Sequence, residues 1–170
     1  MVMVGTVALG VDAARWGADV VVAQGKSTCP PSYRKALKNN LTGTESGGHG
    51  NSYSTGLPLL DLLPQLAAAF SALPTPPILL AAGGLSTSAH LTSLVQLGAL
   101  GMVIGTALLA TTESLYSLAH KARVLSATSA DPVRTAVFDR INGIYGSEGF
   151  GVGVDGRALR NEKIGRASCR

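Results

Sequence analysis

The stretch "PPILLAAGGLSTSAHLTSLVQLGALGMVIGT", residues 76–106, decides the fold. It opens with a short apolar run that ends in two glycines, which is typical of a strand buried on both faces. A segment with helical spacing and a Ser/Thr cap option follows. A second apolar run then ends in Gly105-Thr106. The order strand, helix, strand predicts two parallel strands joined by a right-handed crossover.

The same alternation extends toward the N-terminus. Apolar runs at 2–7 and 18–25 predict two further strands. The segments 8–18 and 57–73 have the apolar spacing of helices. Four strands that alternate with helices predict an α/β fold with a parallel sheet. A small open sheet and part of a (β/α)8 barrel both satisfy this pattern, because a complete barrel needs about 250 residues.

The chain after residue 110 has a different character. Residues 111–146 predict a mostly helical extension, broken near Asp131 by "ADPV". The segment 147–162, "SEGFGVGVDGRALRNE", is rich in glycine, and we expect it to be irregular.

The composition limits the class of partner. The 170 residues are 46% hydrophobic and 14% charged, as in a globular domain with a core. A formal charge of +4 would suggest nucleic acid or a membrane surface. Seven of the 14 basic residues, however, lie in 26–43 and 163–170, which contain no acidic residue. The rest of the chain has seven basic against ten acidic residues, so we expect neither partner.

The expected cellular location rests on two features that the sequence lacks, a membrane span and a secretory signal. No apolar run is both long and uninterrupted enough to span a bilayer. The start lacks the basic region of a secretory signal, and we expect a cytoplasmic protein. The two cysteines provide no disulfide framework.

The glycine turns are the first candidate site. Ligands of parallel α/β proteins bind at the carboxyl ends of the strands, where Gly83-Gly84 and Gly105-Thr106 both fall. A single Gly-Gly pair there is most often only a tight turn. Two such turns separated by one helix favour a phosphate site, because they expose backbone N–H groups beside helix N-termini. The sequence has no metal-ligand spacing, nucleophile elbow or Walker loop.

The histidines allow two interpretations. His49 lies in "TESGGHGNSY", residues 44–53, and both a solvated loop histidine and a catalytic base are compatible with that context. Imidazole titrates near neutral pH, which suits proton abstraction beside an activating group. We expect His90 and His120 on the surfaces of helices.

Five motifs together resemble a known family. In chain order they are "VVVAQG" (20–25), "ESGGHG" (45–50), "ILLAAGG" (78–84), "MVIGTALLATTES" (102–114) and "VDGRALRN" (154–161). They resemble the nitronate monooxygenases, formerly called 2-nitropropane dioxygenases, over residues 2–162 apart from 26–43. The resemblance implies an FMN-dependent (β/α)8 TIM barrel. This chain would be its second half, strands five to eight, with a C-terminal helical extension.

The resemblance also implies residue roles. His49 would be the base that removes the α-proton of a nitroalkane or nitronate. Gln24 and Gly47 would contact the flavin, and the two glycine turns would hold the FMN phosphate. At Val103 the family often has glutamine, but that contact is usually through the backbone. The full set expected to bind FMN is Gln24, Gly47, Gly48, Gly83, Gly84, Val103, Ile104, Gly105 and Thr106.

Three functions stay open at this point. The first is oxidation of a nitronate or nitroalkane with O2. The second is a flavin-dependent enoyl reductase, because a related group shares the Gly-Gly-His loop. The third is a catalytically silent half-barrel, since we expect a chain without the first four strands to bind FMN weakly or not at all. The oligomeric state is open.

Two segments depart from the family pattern. In the family, Ala-Gln-Gly runs almost directly into Glu-x-Gly-Gly-His, whereas 26–43 separate the two motifs here. Deleting 26–43 restores "VVVAQGTESGGHG", and codons for "GKS" and "NLTG" can contain splice-like signals. We hypothesise that 26–43 derive from a retained intron; a real insertion such as a functional lid is the alternative that stays open. Codons for the tail 163–170 can resemble a sequencing adapter, so the domain is expected to be 1–162 without the insertion.

Overall fold

The computed structural model describes residues 1–25, 48–51, 56–128, 131–135, 137 and 154–161, with the backbone alone at 48–51, 134, 154 and 155. The segments hypothesised to derive from an intron (26–43) and an adapter (163–170) lie outside the described residues, as does Gly47. Among the residues described, no helix is long and apolar enough to cross a membrane.

A parallel sheet forms the centre of the described structure. Its strands, in spatial order, are β1 (Val2–Val4), β2 (Val20–Gln24), β4 (Ile78–Ala82) and β5 (Gly101–Val103). The connecting helices are α1 (Val7–Arg15), α2 (Leu59–Ser71) and α3 (Ser88–Gln96). This confirms the predicted α/β fold with a parallel sheet. The arrangement is consistent with one part of a (β/α)8 barrel.

The helices begin where the sequence offers caps. Thr6 Oγ1 accepts a hydrogen bond from Leu9 N at the start of α1, and Thr87 Oγ1 accepts one from His90 N at the start of α3. After α3, Gly98 adopts φ +97°, a conformation that suits glycine. These local signals set the lengths of the helices and therefore where each strand begins.

The core lies between α2 and one face of the sheet. The apolar residues of α2 recur at helical spacing and are at most 3% exposed: Leu59, Leu62, Leu63, Leu66 and Phe70. They pack with Val21, Ala23, Leu79 and Ala81 of the two central strands. Gly10 of α1 contacts this layer so closely that a Cβ there would lie 2.3 Å from Leu66 Cδ2. Burial of this stripe fixes how α2 covers the sheet.

The chain after β5 is less helical than the sequence predicts. A 3-10 turn at Thr106–Ala110 leads to helix α4 (Leu118–Leu125). The strands β6 (Pro132–Thr135) and β7 (Val154–Leu159) follow. The expectation of a mostly helical extension therefore holds only for α4 among the described residues. Residues 154–159, expected to be irregular, form a regular strand.

A second, antiparallel sheet has the order β3-β7-β6, where β3 is Gly48–Asn51. Its central strand β7 pairs with both neighbours, so that Arg157 lies opposite Gly48 on one side and Arg134 on the other. The Gly-Gly-His segment, expected to be a loop, thus contributes a strand. Its hydrogen-bonding partner lies more than a hundred residues away, which explains why local patterning did not predict it.

Candidate functional site

A cleft lies at the carboxyl ends of the parallel strands. The register places Gln24 of β2 beside Ala82 of β4, and Ala82 beside Val103 of β5. Three strands therefore end at the same level, and the loops that follow them open toward the same space. This edge is where ligands of parallel α/β proteins bind.

The cleft has a volume of about 600 Å³, which is within the usual range of small-molecule sites. It brings together six of the residues predicted to bind the cofactor: Gln24, Gly83, Gly84, Val103, Gly105 and Thr106. Ile104 is not part of its lining. Gly47 lies outside the described residues, and Gly48 is described only by its backbone. The grouping of distant motifs at one edge is what the parallel topology predicts.

The glycine turns shape one end of the cleft. Gly83 and Gly84 adopt φ +116° and +67°, a region that side chains other than glycine rarely enter. A Cβ at Gly105 would meet no atom within 4 Å, so backbone borders open space there. Helix α3 begins just after the first turn, with its N-terminus on the same side. Backbone N–H groups and a helix N-terminus at one place favour an anion.

Gly25 is required by packing, unlike the glycines that border the cleft. A Cβ at Gly25 would lie 2.4 Å from both the backbone N and the Cβ of Leu59. Leu59 begins α2 and is 1% exposed. The glycine of the Ala-Gln-Gly motif is therefore needed for the close approach of α2 to the end of β2.

Arg157 is a functional candidate that sequence reasoning did not single out. Its half-buried side chain lines the cleft from β7, and it is the one charged residue among the described lining residues. Tyr116 and Ser86 add polar groups to the same lining. Arg157 lies in "VDGRALRN", one of the motifs that carry the family resemblance, but the resemblance implied no role for this arginine. A guanidinium provides several donors in a fixed plane, which suits a phosphate.

His49 lies on the strand that borders Arg157. Its backbone pairs with Gly156, while the preceding Gly48 pairs with Arg157 itself. The second sheet thus joins the Gly-Gly-His motif to the strand that carries the cationic side chain of the cleft. The side chain of His49 lies outside the described part of the structure, so its role as base stays a prediction.

The other two histidines differ from each other. His120 is exposed, as expected, and its Nδ1 is 2.9 Å from Ser117 Oγ. The expectation that His90 lies on the surface of a helix is wrong, because His90 is only 9% exposed. The backbone N–H of Ser86 donates to His90 Nδ1 at 3.1 Å. His90 therefore contacts the turn 83–86, whose residues line the cleft.

The arrangement can bind an anionic small molecule. Its lining includes the glycine turns, the hydroxyl-bearing Ser86 and Thr106, and the charged residue Arg157. The lining also includes the apolar side chains of Met3, Ala82 and Leu109. A phosphate ester with a flat, partly apolar body matches this distribution. Among the described residues, no cluster of three or more side chains could hold a metal ion.

The chain is similar to several known proteins. The family model described as nitronate monooxygenase matches residues 40–145. A Bacillus subtilis (strain 168) protein named "Probable nitronate monooxygenase" is 35% identical over 103 residues, 58% of this chain and 28% of its own length. A Metarhizium robertsii nitronate monooxygenase is 31% identical over 108 residues, 62% of this chain and 29% of its own length.

A solved structure extends the likeness to the fold. The structure of nitroalkane oxidase from Streptomyces ansochromogenes superposes with a TM-score of 0.67 and 25% identity. The superposed region covers 95% of this chain and 38% of the nitroalkane oxidase chain. The chain thus spans less than a third of the length of these two curated relatives and well under half of this structural neighbour.

Proposed function

Because the chain belongs to the nitronate monooxygenase family, we propose that it forms the phosphate end of an FMN site for the oxidation of alkyl nitronates and nitroalkanes. The single observation that carries this proposal is the cleft at the carboxyl ends of β2, β4 and β5. There, two glycine turns and Arg157 line one space of about 600 Å³. The chain would be the second half, strands five to eight, of a (β/α)8 barrel, consistent with the share of its relatives that it spans.

The described residues fit the proposed cofactor. The open space beside Gly105 leaves room for a ligand to approach the backbone closely. Thr106, Ser86 and Arg157 supply the hydroxyl and guanidinium donors that a phosphate monoester needs. The apolar lining suits a flat ring system. Gly83, Gly84, Gly105 and Thr106 are the proposed phosphate ligands, with Gln24 as a proposed flavin contact and Val103 as a further proposed FMN contact.

The chemistry divides between the cofactor and the chain. FMN, when bound, would accept the electrons removed from the substrate and pass them to O2. His49 would remove the α-proton of a nitroalkane, and the pairing of β3 with β7 would hold its backbone in place. Gly47 and Gly48 would let the backbone come close to the ligand at this point.

Comparing FMN with riboflavin tests the phosphate site directly. The two molecules differ only in the phosphate, so the proposed donors should make FMN the tighter ligand in a fluorescence titration of a protein with the complete barrel, since the chain alone is expected to bind FMN weakly or not at all. Arg157→Gln should lower FMN affinity roughly tenfold, because hydrogen bonds to charged groups are the stronger ones, and should leave riboflavin unchanged. Arg160→Gln, at an exposed position directly after the same strand, is the matched control. Equal affinity for FMN and riboflavin would refute the site.

The base role needs a separate measurement in a protein with the complete barrel. His49→Ala should reduce the oxidation of a neutral nitroalkane far more than that of the corresponding nitronate, which has already lost its proton. Equal losses on both substrates would argue against the base. Turnover of an enoyl thioester with NAD(P)H, without nitronate oxidation, would instead favour the flavin-dependent enoyl reductase.

A further inference from the structure

His90 lies outside the lining of the cleft, yet it contacts the backbone that forms the lining. We propose that His90 is a positioning residue that fixes the turn 83–86 by accepting the Ser86 N–H, and thereby sets the backbone of the anion-binding end of the cleft. The ligand named below rests on the proposed function. The positioning itself rests only on the geometry of the turn and of α3.

The contact is well defined. The Ser86 nitrogen lies 3.1 Å from His90 Nδ1, and the histidine is 9% exposed, so little water is available to replace this acceptor. A ring nitrogen that accepts a hydrogen bond carries no hydrogen, so the hydrogen of the neutral ring is on Nε2. The bond thus selects one tautomer of His90.

The arrangement is a variant of the capping box. Thr87 is the N-cap of α3, and its Oγ1 accepts the N–H of His90, the third residue of the helix. In the usual capping box, a Glu or Gln at this third position reaches back to the backbone N–H of the N-cap. Here the imidazole reaches one residue further, to Ser86. The capping contact is thereby extended from the helix into the loop.

The turn needs an external constraint of this kind. Gly83 and Gly84 both have positive φ and, as glycines, can adopt many other conformations. Leu85, 6% exposed, anchors one side of the turn in the core. The bond from Ser86 to His90 anchors the other side. Without it, the backbone beside the two glycines could rearrange while the helix and the sheet stay folded.

Two substitutions of His90 separate positioning from packing. His90→Asn keeps an acceptor, because Asn Oδ1 occupies the place of Nδ1 on the side chain. His90→Leu fills a similar volume but has no acceptor. We expect the Ser86 amide to lose protection from hydrogen exchange in the Leu variant and to keep it in the Asn variant.

Ligand binding provides the second measurement. In FMN titrations of a protein with the complete barrel, His90→Leu should weaken binding about two- to tenfold, the range expected for one lost hydrogen bond. His90→Asn should restore most of the affinity. Urea unfolding of both variants shows whether a general loss of stability, rather than the turn, accounts for a difference.

The outcomes are distinct. If the Leu and Asn variants show the same exchange at Ser86, or if ¹⁵N spectra place the ring hydrogen of His90 on Nδ1, the positioning role is overturned. If exchange at Ser86 responds as expected but the protein with the complete barrel does not prefer FMN over riboflavin, the positioning role stands and the proposed function fails.

Discussion

Gly25→Ala tests whether the motif glycine after β2 serves packing rather than ligand binding. The new Cβ would lie 2.4 Å from the backbone N of Leu59 and 2.5 Å from its Cα. Real Cβ contacts are essentially never shorter than 3.0 Å, so the two backbones must separate by about 0.6 Å at least. Backbone cannot rotate away as a side chain can. The start of α2, and with it the core stripe that begins at Leu59, would have to move.

The expected cost follows from this geometry. Overpacking of a core costs about 1–3 kcal/mol, and a clash with backbone should fall near the upper end. For a chain of this length, about 3 kcal/mol corresponds to a fall in melting temperature of roughly 6–12 °C. Urea unfolding followed by circular dichroism measures the free energy, and a thermal scan measures the midpoint. Leu59→Ala in the same chain should not relieve the clash, because alanine retains the Cβ.

Gly105→Ala is the matched control for Gly25→Ala. Its Cβ would meet no atom within 4 Å, and its φ of −124° is not in the positive range that favours glycine. We expect a change in unfolding free energy within about 0.5 kcal/mol. If the two alanine variants unfold at the same urea concentration, the packing explanation of Gly25 is wrong.

Three further predictions follow from single features of the fold. Leu66→Ala, at a fully buried position of α2, should cost about 2–5 kcal/mol in urea unfolding, whereas Leu118→Ala, at an 84% exposed position, should cost under about 0.5. Thr87→Ala should cost about 1 kcal/mol by removing the cap of α3; the same unfolding midpoint as the parent would contradict the cap. Two hydrogen bonds from Thr128 to the Asp131 carboxylate lower the pKa of Asp131 below 3.8. The larger effect comes from the backbone N–H and the smaller from the hydroxyl. This lowered pKa stabilises the fold above pH 3.8, and the stabilisation is lost as pH falls through the folded value; an NMR titration midpoint at or above 3.8 would contradict it.

The parallel sheet was predictable because its signals are local. Each strand and helix around it is a contiguous run with its own periodicity, and turn glycines such as Gly83 and Gly105 punctuate them. Parallel alternation then requires the strands to end on one side. The grouping of Gln24, Gly84 and Thr106 at one cleft follows from that topology.

The second sheet was not predictable from the same kind of signal. β3 has the sequence GHGN, and β6 is only four residues long, so neither has a β-branched apolar run. They form strands because β7 supplies hydrogen-bonding partners from the end of the chain. Arg157 reaches the cleft as a consequence of this pairing, which is why the sequence offered a motif but no role for it.

The burial of the His90 side chain was likewise not predictable from local patterning. Its neighbours along the sequence are mostly polar, and helical spacing alone left it on the surface. The structure buries it, because its position in the first turn of α3 directs the ring back toward the turn 83–86.

The sequence by itself determined the alternation of strands and helices, the glycine turns at the strand ends and the family, because all of these depend on contiguous residues. Only the tertiary structure decided that Gly25 is required by packing, that His90 supports a turn, and that Arg157 shares a cleft with glycines more than fifty residues earlier. The physical reason is that close approach, burial and long-range pairing are properties of residues that meet in space. Gly25 and Arg157 meet residues far away in the chain, whereas His90 meets Ser86 only four residues away but is buried by the rest of the fold.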